Sequence, residues 1–198
     1  MTLDIRKMQA ALAVTTDGIA GPNTWRALFA RCGAKPSMAG ELALAANRRF
    51  IEYGITDNGL RLAHFMAQLI HESGGFRYME EIWGPTKAQR GYEGRADLGN
   101  HIAGDGYRFR GRGTIQLTGR ANYRAMGQRI GIALEAHPDI AAVPSIGLWT
   151  ALEYWRSRDL NALADADDIE AVTRKVNGGL NGFSDRKAAL AKVKGIVL

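Results

Sequence analysis

The sequence has one cysteine, Cys32, in 198 residues. A lone thiol forms no internal disulfide, which fits synthesis in a reducing cytosol, and Cys32 itself reads as a buried or indifferent group. Long apolar runs are also missing: no stretch approaches the roughly 18 residues a membrane span needs, so no stable membrane insertion is expected. The opening "MTLDIRKMQAALAV" lacks a secretory core and a small-residue cleavage site. The expectation is a chain made in the cytoplasm without an export signal. Dense basic tracts are absent too. Lysine and arginine exceed acidic residues by 26 to 20, giving a formal charge of +6 and a pI near 9.7, yet they are scattered in ones and twos. Such a charge attracts polyanions, among them nucleic acid, anionic lipid and the acidic polymers of bacterial walls. Without a basic arm or helix, nucleic acid is the least favoured of these. The four histidines, His64, His71, His101 and His137, show no metal-ligand spacing. Neither a metal nor another cofactor is expected.

What is present is ordinary globular composition, 46% hydrophobic and 23% charged, enough for one good-sized domain with a small appendage. Helical periodicity recurs in "ELALAANRRFIEYG", "NGLRLAHFMAQLIHE", "RANYRAMGQRIG", "SIGLWTALEYWRSR", "DIEAVTRKVNGG" and "DRKAALAKVKGIVL". Only "FRYMEEIW" and "RFRGRGTIQL" suggest extended chain, so the fold class is mainly α. Trp149 and Trp155 read as core residues on their helix. Asp165, Asp167 and Asp168 do not match a calcium loop and suit a solvated helix start. Near the N-terminus, Ile5, Met8 and Leu12 keep helical spacing, "TTDGIAGP" breaks it, and "NTWRALFA" resumes it. We divide the chain into a helical unit at 1–33, a Gly/Pro/Ser-containing linker at 34–40 and a main domain at 41–198.

The chemistry concentrates around "HFMAQLIHESGG". On a helical wheel Leu62, Phe65, Met66, Leu69 and Ile70 share an arc, Glu72 borders it and His71 lies opposite. Gly74 and Gly75 end the helix. A carboxylate beside apolar groups at a helix C-terminus is disfavoured in its ionised form, which is what a general acid working near neutral pH needs. His71 reads as structural. Glu80 and Glu81 follow, hemmed by Phe76, Tyr78, Met79 and Trp83, an aromatic setting suited to stacking sugar rings. Two carboxylates with such a wall suggest glycoside hydrolysis. In an extended segment only one of Glu80 and Glu81 can face the site, and periodicity does not say which. "GDGYRFRGRGTIQLTGRANY" then offers glycines for close approach and amide and hydroxyl groups for sugars. It lacks the Gly-Lys-Ser/Thr ending of a phosphate loop.

Two resemblances follow from these residues. "MQAALAVTTDGIAGPNTWRAL" is similar to the peptidoglycan-binding repeat with Leu-Gln, then Asp-Gly-x-x-Gly-Pro-x-Thr, then an apolar helix; Met8 stands in the leucine position and the unit is short. "FMAQLIHESGGF", "GYRFRGRGTIQLTGRANY" and "VNGGLNGFSDR" look like the three signature blocks of family 19 glycoside hydrolases, which include plant-type chitinases and many bacteriophage endolysins. The resemblance implies a lysozyme-like helical fold and inverting hydrolysis of N-acetylhexosamine polymers. It implies Glu72 as general acid, Glu81 as general base and Thr118 as a holder of the attacking water. Gln116, Asn122, Tyr123 and Asn177 would line the substrate cleft, and Arg186 would support the acidic cluster. Plant chitinases have a longer loop between the two glutamates, so a more open cleft is expected; nine residues span about 30 Å extended and permit the ~6.5–9.5 Å carboxylate separation of inversion. The expected function is an endolysin that cuts β-1,4 bonds of bacterial peptidoglycan, acting at the wall as a monomer with a separate pore-forming holin for release. The alternatives are a chitinase and a non-catalytic wall-binding protein.

Overall fold

Four of the five prolines stand at helix starts, where a fixed φ and a missing N–H cost nothing: Pro22, Pro36 and Pro144 open α-helices and Pro138 a 3-10 turn. A computed structural model describes residues 2–198. The chain forms α1 (Ile5–Ala11), α2 (Pro22–Arg31), α3 (Pro36–Glu52), α4 (Gly59–Glu72), α5 (Lys87–Arg90), α6 (Asp105–Arg108), α7 (Arg120–Ile130), α8 (Pro144–Ser157), α9 (Leu160–Asp165), α10 (Ile169–Asn177) and α11 (Phe183–Val197). The mainly α class is therefore correct. The two segments expected as extended give only the isolated bridges Glu80–Arg112 and Arg112–Leu117 among the described residues. Gly113 at φ +78° and Gln116 at φ +55° turn the chain too soon for a strand.

Two compact units result: residues up to Arg77 with Trp155–Leu198, and Tyr78–Tyr154. In the first, α4 packs on α11 and α2 on α3. Leu62, Phe65, Met66 and Leu69 are wholly buried, as their shared face requires, and so are Ala63, His64, Ala67 and Gln68, so α4 is enclosed on nearly every side. Asn58 caps its start by accepting from Leu60 N, and Ser73 closes its end by donating to Leu69 O at 2.6 Å and accepting from Phe76 N at 2.8 Å. Rings meet edge to face in series: Trp25–Phe50 at 5.2 Å, Phe50–Phe65 at 5.8 Å and Phe65–Trp155 at 5.3 Å. Cys32 is buried, and burial pushes its thiol up to about 11.

The N-terminal helices belong to this same unit. Buried Gln9 organises the turn between them: its Nε2 donates to Asp17 Oδ1 at 2.7 Å, Ile19 O at 3.0 Å and Thr24 Oγ1 at 3.1 Å, and its Oε1 accepts from Gly18 N at 2.9 Å. The Gln, Asp-Gly and Thr of the motif are thus one hydrogen-bond network. Residues 36–40, expected within a linker, form the start of α3, because Pro36 takes the first helical position. Asp168 caps α10, Asp165 holds Arg61, and Asp167 holds His64 and Lys194, so this acidic run pins helix ends.

In the second unit, Phe109, Leu117, Tyr123, Met126, Ile130, Leu134 and Ala141 form a smaller core, with Trp149 packed against it. Around it run ion pairs that gather the loops between α5 and α8. Arg112, 1% exposed, pairs with Asp139 at 2.6 Å and Glu80 at 3.3 Å and donates to Arg108 O at 2.8 Å.

Candidate active site

Glu72 is the last residue of α4, one turn beyond Gln68, so both side chains share a face. That face meets the first turn of α11, where Arg186 is 1% exposed. Arg186 donates from Nη2 to Glu72 Oε1 at 2.5 Å, from Nη1 to Gln68 Oε1, and from Nε to Asn181 O at 3.3 Å. A buried guanidinium requires such a set of acceptors. The apolar pattern of α4 did not announce this cation; the signal lay in the third sequence block, 114 residues away. Glu72 keeps 21% of its side chain exposed, so one oxygen is held while the carboxylate stays accessible.

Neighbouring helix ends complete this half. His71 lies so close to Gly182 that a Cβ there would sit 2.0 Å from its Cε1, and Gly182, at φ +68°, caps α11. Burial, then the charge of Arg186, holds the imidazole below its ordinary pKa. Asn177 ends α10, and its Nδ2 is buried without a hydrogen-bond partner in the protein.

In the second unit the adjacent glutamates diverge. Glu80 goes to the arginines, pairing with Arg110 and Arg112. Glu81 is held by neutral donors: Gln89 Nε2 at 2.9 Å and Tyr92 Oη at 3.3 Å on Oε1, and Gly111 N at 3.1 Å on Oε2. Its own N–H donates to Gly111 O at 2.8 Å. Burial, then the Glu81 charge, raises the Tyr92 pKa. Gly111 marks a convergence, because a Cβ there would lie 2.7 Å from Gln116 Oε1, 3.3 Å from Glu81 Oε2 and 3.4 Å from Thr118 Oγ1. Only hydrogen fits. Thr118 donates to Gln116 O at 2.9 Å, and exposed Asn122 donates to Thr118 O at 2.7 Å.

Two expectations need correction. Tyr123, assigned to the cleft, is wholly buried; it donates to Arg110 O at 2.8 Å, packs on Phe109, and burial pushes its hydroxyl up to about 12. It supports the loop and has no surface for a ligand. Phe76, expected in an aromatic wall, is 1% exposed and packs on Phe29, because φ +61° turns it into the core. Trp83, expected in that wall, lies 6.3 Å from Tyr92, the ring that donates to Glu81, and 5.3 Å from Tyr107. Gln89 and Tyr92 were missed, although Thr86-x-x-Gln89 is a legible capping box and the structure forms it.

The family model for chitinase class I, glycoside hydrolase family 19, matches residues 26–173. The chain belongs to glycoside hydrolase family 19. This family 19 enzyme is 35% identical over 157 residues to a family 19 domain-containing protein of Haemophilus influenzae, covering 65% of its own length and 76% of the relative's. It is 32% identical over 176 residues to Chitinase 6 of Oryza sativa subsp. japonica, covering 84% and 64%. It spans about half to two thirds of the plant chitinases it matches. Chitinase C from Streptomyces griseus HUT6037 superposes with a TM-score of 0.63 at 25% identity, over 79% of this chain and 82% of that one. A family 19 class IV chitinase from Zea mays shares the fold, with a TM-score of 0.59 at 20% identity over 96% and 91%. The family 19 match opens inside α2 and closes inside α10, so the Gln9 network precedes it and Asn177 and Arg186 follow it.

Proposed function

We propose that this glycoside hydrolase is a peptidoglycan hydrolase of the endolysin kind, cutting β-1,4 bonds between amino sugars of the bacterial wall. Glu72, as carboxylic acid, protonates the glycosidic oxygen. Glu81 takes a proton from water, which attacks the anomeric carbon from the opposite face and inverts it. Arg186 holds Oε1 of Glu72 and fixes the direction of the side chain. The Thr118 hydroxyl, whose hydrogen is directed to Gln116 O, accepts from the attacking water. Gln116, Asn122 and Asn177 contact the sugar. The chain acts as a monomer at the wall of the cell that makes it, after a pore-forming partner grants passage, and its basic charge aids encounter with an anionic envelope. Host lysis by a bacteriophage is the setting this implies.

Hydrolysis rests on the convergence of Glu81, Gln116 and Thr118 around Gly111. The choice of wall over chitin is supported by the Gln9 network, which builds the loop resembling a wall-binding repeat beside a groove of about 730 Å³. Chitin oligomers are the second reading, favoured by the names of the plant relatives. Purified peptidoglycan and chitohexaose should be digested in parallel, with products sized by mass spectrometry and the new anomer followed by NMR. Soluble muropeptides with an inverted reducing end are expected. Cleavage of chitohexaose with peptidoglycan left intact would overturn the wall reading.

A further inference from the structure

Two adjoining cavities in the second unit, of about 530 and 630 Å³, share Arg108 and Ala136 in their walls. The first also has Tyr107, Arg110, Arg112 and His137, and the second Arg120, Arg124 and Glu135. Their carboxylates are committed. Glu135 takes Arg124 at 2.6 Å and Arg120 at 3.2 Å, and Asp105 takes Arg120 at 2.5 Å. Asp139 takes Arg112 at 2.6 Å, and Glu80 bridges Arg110 and Arg112. Arg108 differs. Among the described residues its guanidinium reaches only Ala136 O, at 3.3 Å, and the Phe109 ring, at 5.4 Å, and it is exposed. Of the five arginines that line the two cavities, Arg108 has no ion pair among the described residues, and it is the arginine common to both cavities.

Three rings lead from Glu81 to the groove. Tyr92, which donates to Glu81, lies 6.3 Å from Trp83, and Trp83 lies 5.3 Å from Tyr107. Tyr107 is 52% exposed and carries the Arg110 guanidinium 4.0 Å over its ring. A glycan seated at Glu81 and following these rings arrives at Arg108 within a few sugar widths. We infer that the Tyr107–Arg108–His137 groove is a subsite for a carboxylate carried by the glycan, so that Arg108 favours an acidic saccharide strand over a neutral one. The inference rests on the hydrolase reading above and names its substrate class. Chitin is uncharged, whereas wall glycan bears carboxylates on its stem peptides, and a guanidinium binds a carboxylate through two parallel N–H bonds.

The test uses the full chain carrying Glu72→Gln to stop turnover. Calorimetry at low salt compares oligosaccharides of carboxymethyl chitin with those of glycol chitin, which share a backbone and differ in charge. Carboxymethyl oligosaccharides should bind about tenfold tighter, about 1.4 kcal/mol. Adding Arg108→Gln should abolish that preference while glycol chitin affinity changes less than about twofold, and Arg108→Lys should restore part of it. No preference in the parent, a preference that survives Arg108→Gln, or no binding to either polymer overturns the inference. A wild-type chain that cuts chitin derivatives but not peptidoglycan sinks the wall reading alone, and the carboxymethyl-to-glycol ratio still scores the subsite.

Discussion

In the first unit Trp25, Phe50, Phe65 and Trp155 meet ring to ring and are each 1% exposed or less, whereas in the second the bulkiest fully buried side chain is Arg112. The difference follows from the backbone. Long helices such as α3 and α4 present continuous apolar faces and can bury aromatics. The loops of the second unit bury fewer rings, Phe109 and Tyr123 among them, and buried Arg112 collects their carbonyls and carboxylates. Glu72, on a helix end of the first unit, is braced by a buried cation, and Glu81, on a loop of the second, by neutral amides.

Substituting those two carboxylates tests the contrast most severely. Glu72→Gln and Glu81→Gln should each lower the hydrolysis rate by about 10²–10⁴-fold; Glu81→Gln should leave the melting curve nearly unchanged, whereas Glu72→Gln should lower it, because buried Arg186 loses its carboxylate partner. A variant that keeps more than a tenth of wild-type activity removes its residue from the acid–base pair. Stability separates the units next. Phe65→Ala should cost about 3–5 kcal/mol in urea unfolding, irrespective of salt. Arg112→Met should cost about 1–3 kcal/mol, because Arg108 O and the Tyr123 hydroxyl lose a donor. Half-molar salt should narrow that second difference only, since Asp139 and Glu80 are partly exposed. Equal salt responses would erase the distinction between an apolar and an ionic unit.

The smallest expected effect concerns pH. Burial lowers the pKa of His64 below 6.5, although Asp167 at 2.7 Å opposes the shift. The folded state therefore binds a proton less readily than the unfolded chain. Stability is full above about 6.5 and declines as pH falls from there through the folded value. His64→Gln should flatten the fall in Tm between pH 7 and 5 by a few degrees; an unchanged slope would assign acid sensitivity elsewhere.

Periodicity located the long helices, and the glycine pair at 74 and 75 marked where α4 ends, because those features are local. The family resemblance then singled out Glu72, Glu81, Gln116 and Thr118, and the last three do converge. What stayed hidden depends on φ or on distant partners. An alternating pattern could not foresee that Phe76 adopts φ +61° and leaves the aromatic wall. A motif position could not reveal that Tyr123 points into the core. Gln89 was legible as a helix cap, but its second bond to Glu81 exists only once two loops have met.

Gln89 has one amide for two duties. Its Oε1 closes the capping box of the four-residue α5, and its Nε2 steadies Glu81. Short helices fray at far lower free energy than a packed core. Loosening of that single turn would withdraw one of three donors from Glu81 and leave it to the Tyr92 hydroxyl and the Gly111 N–H.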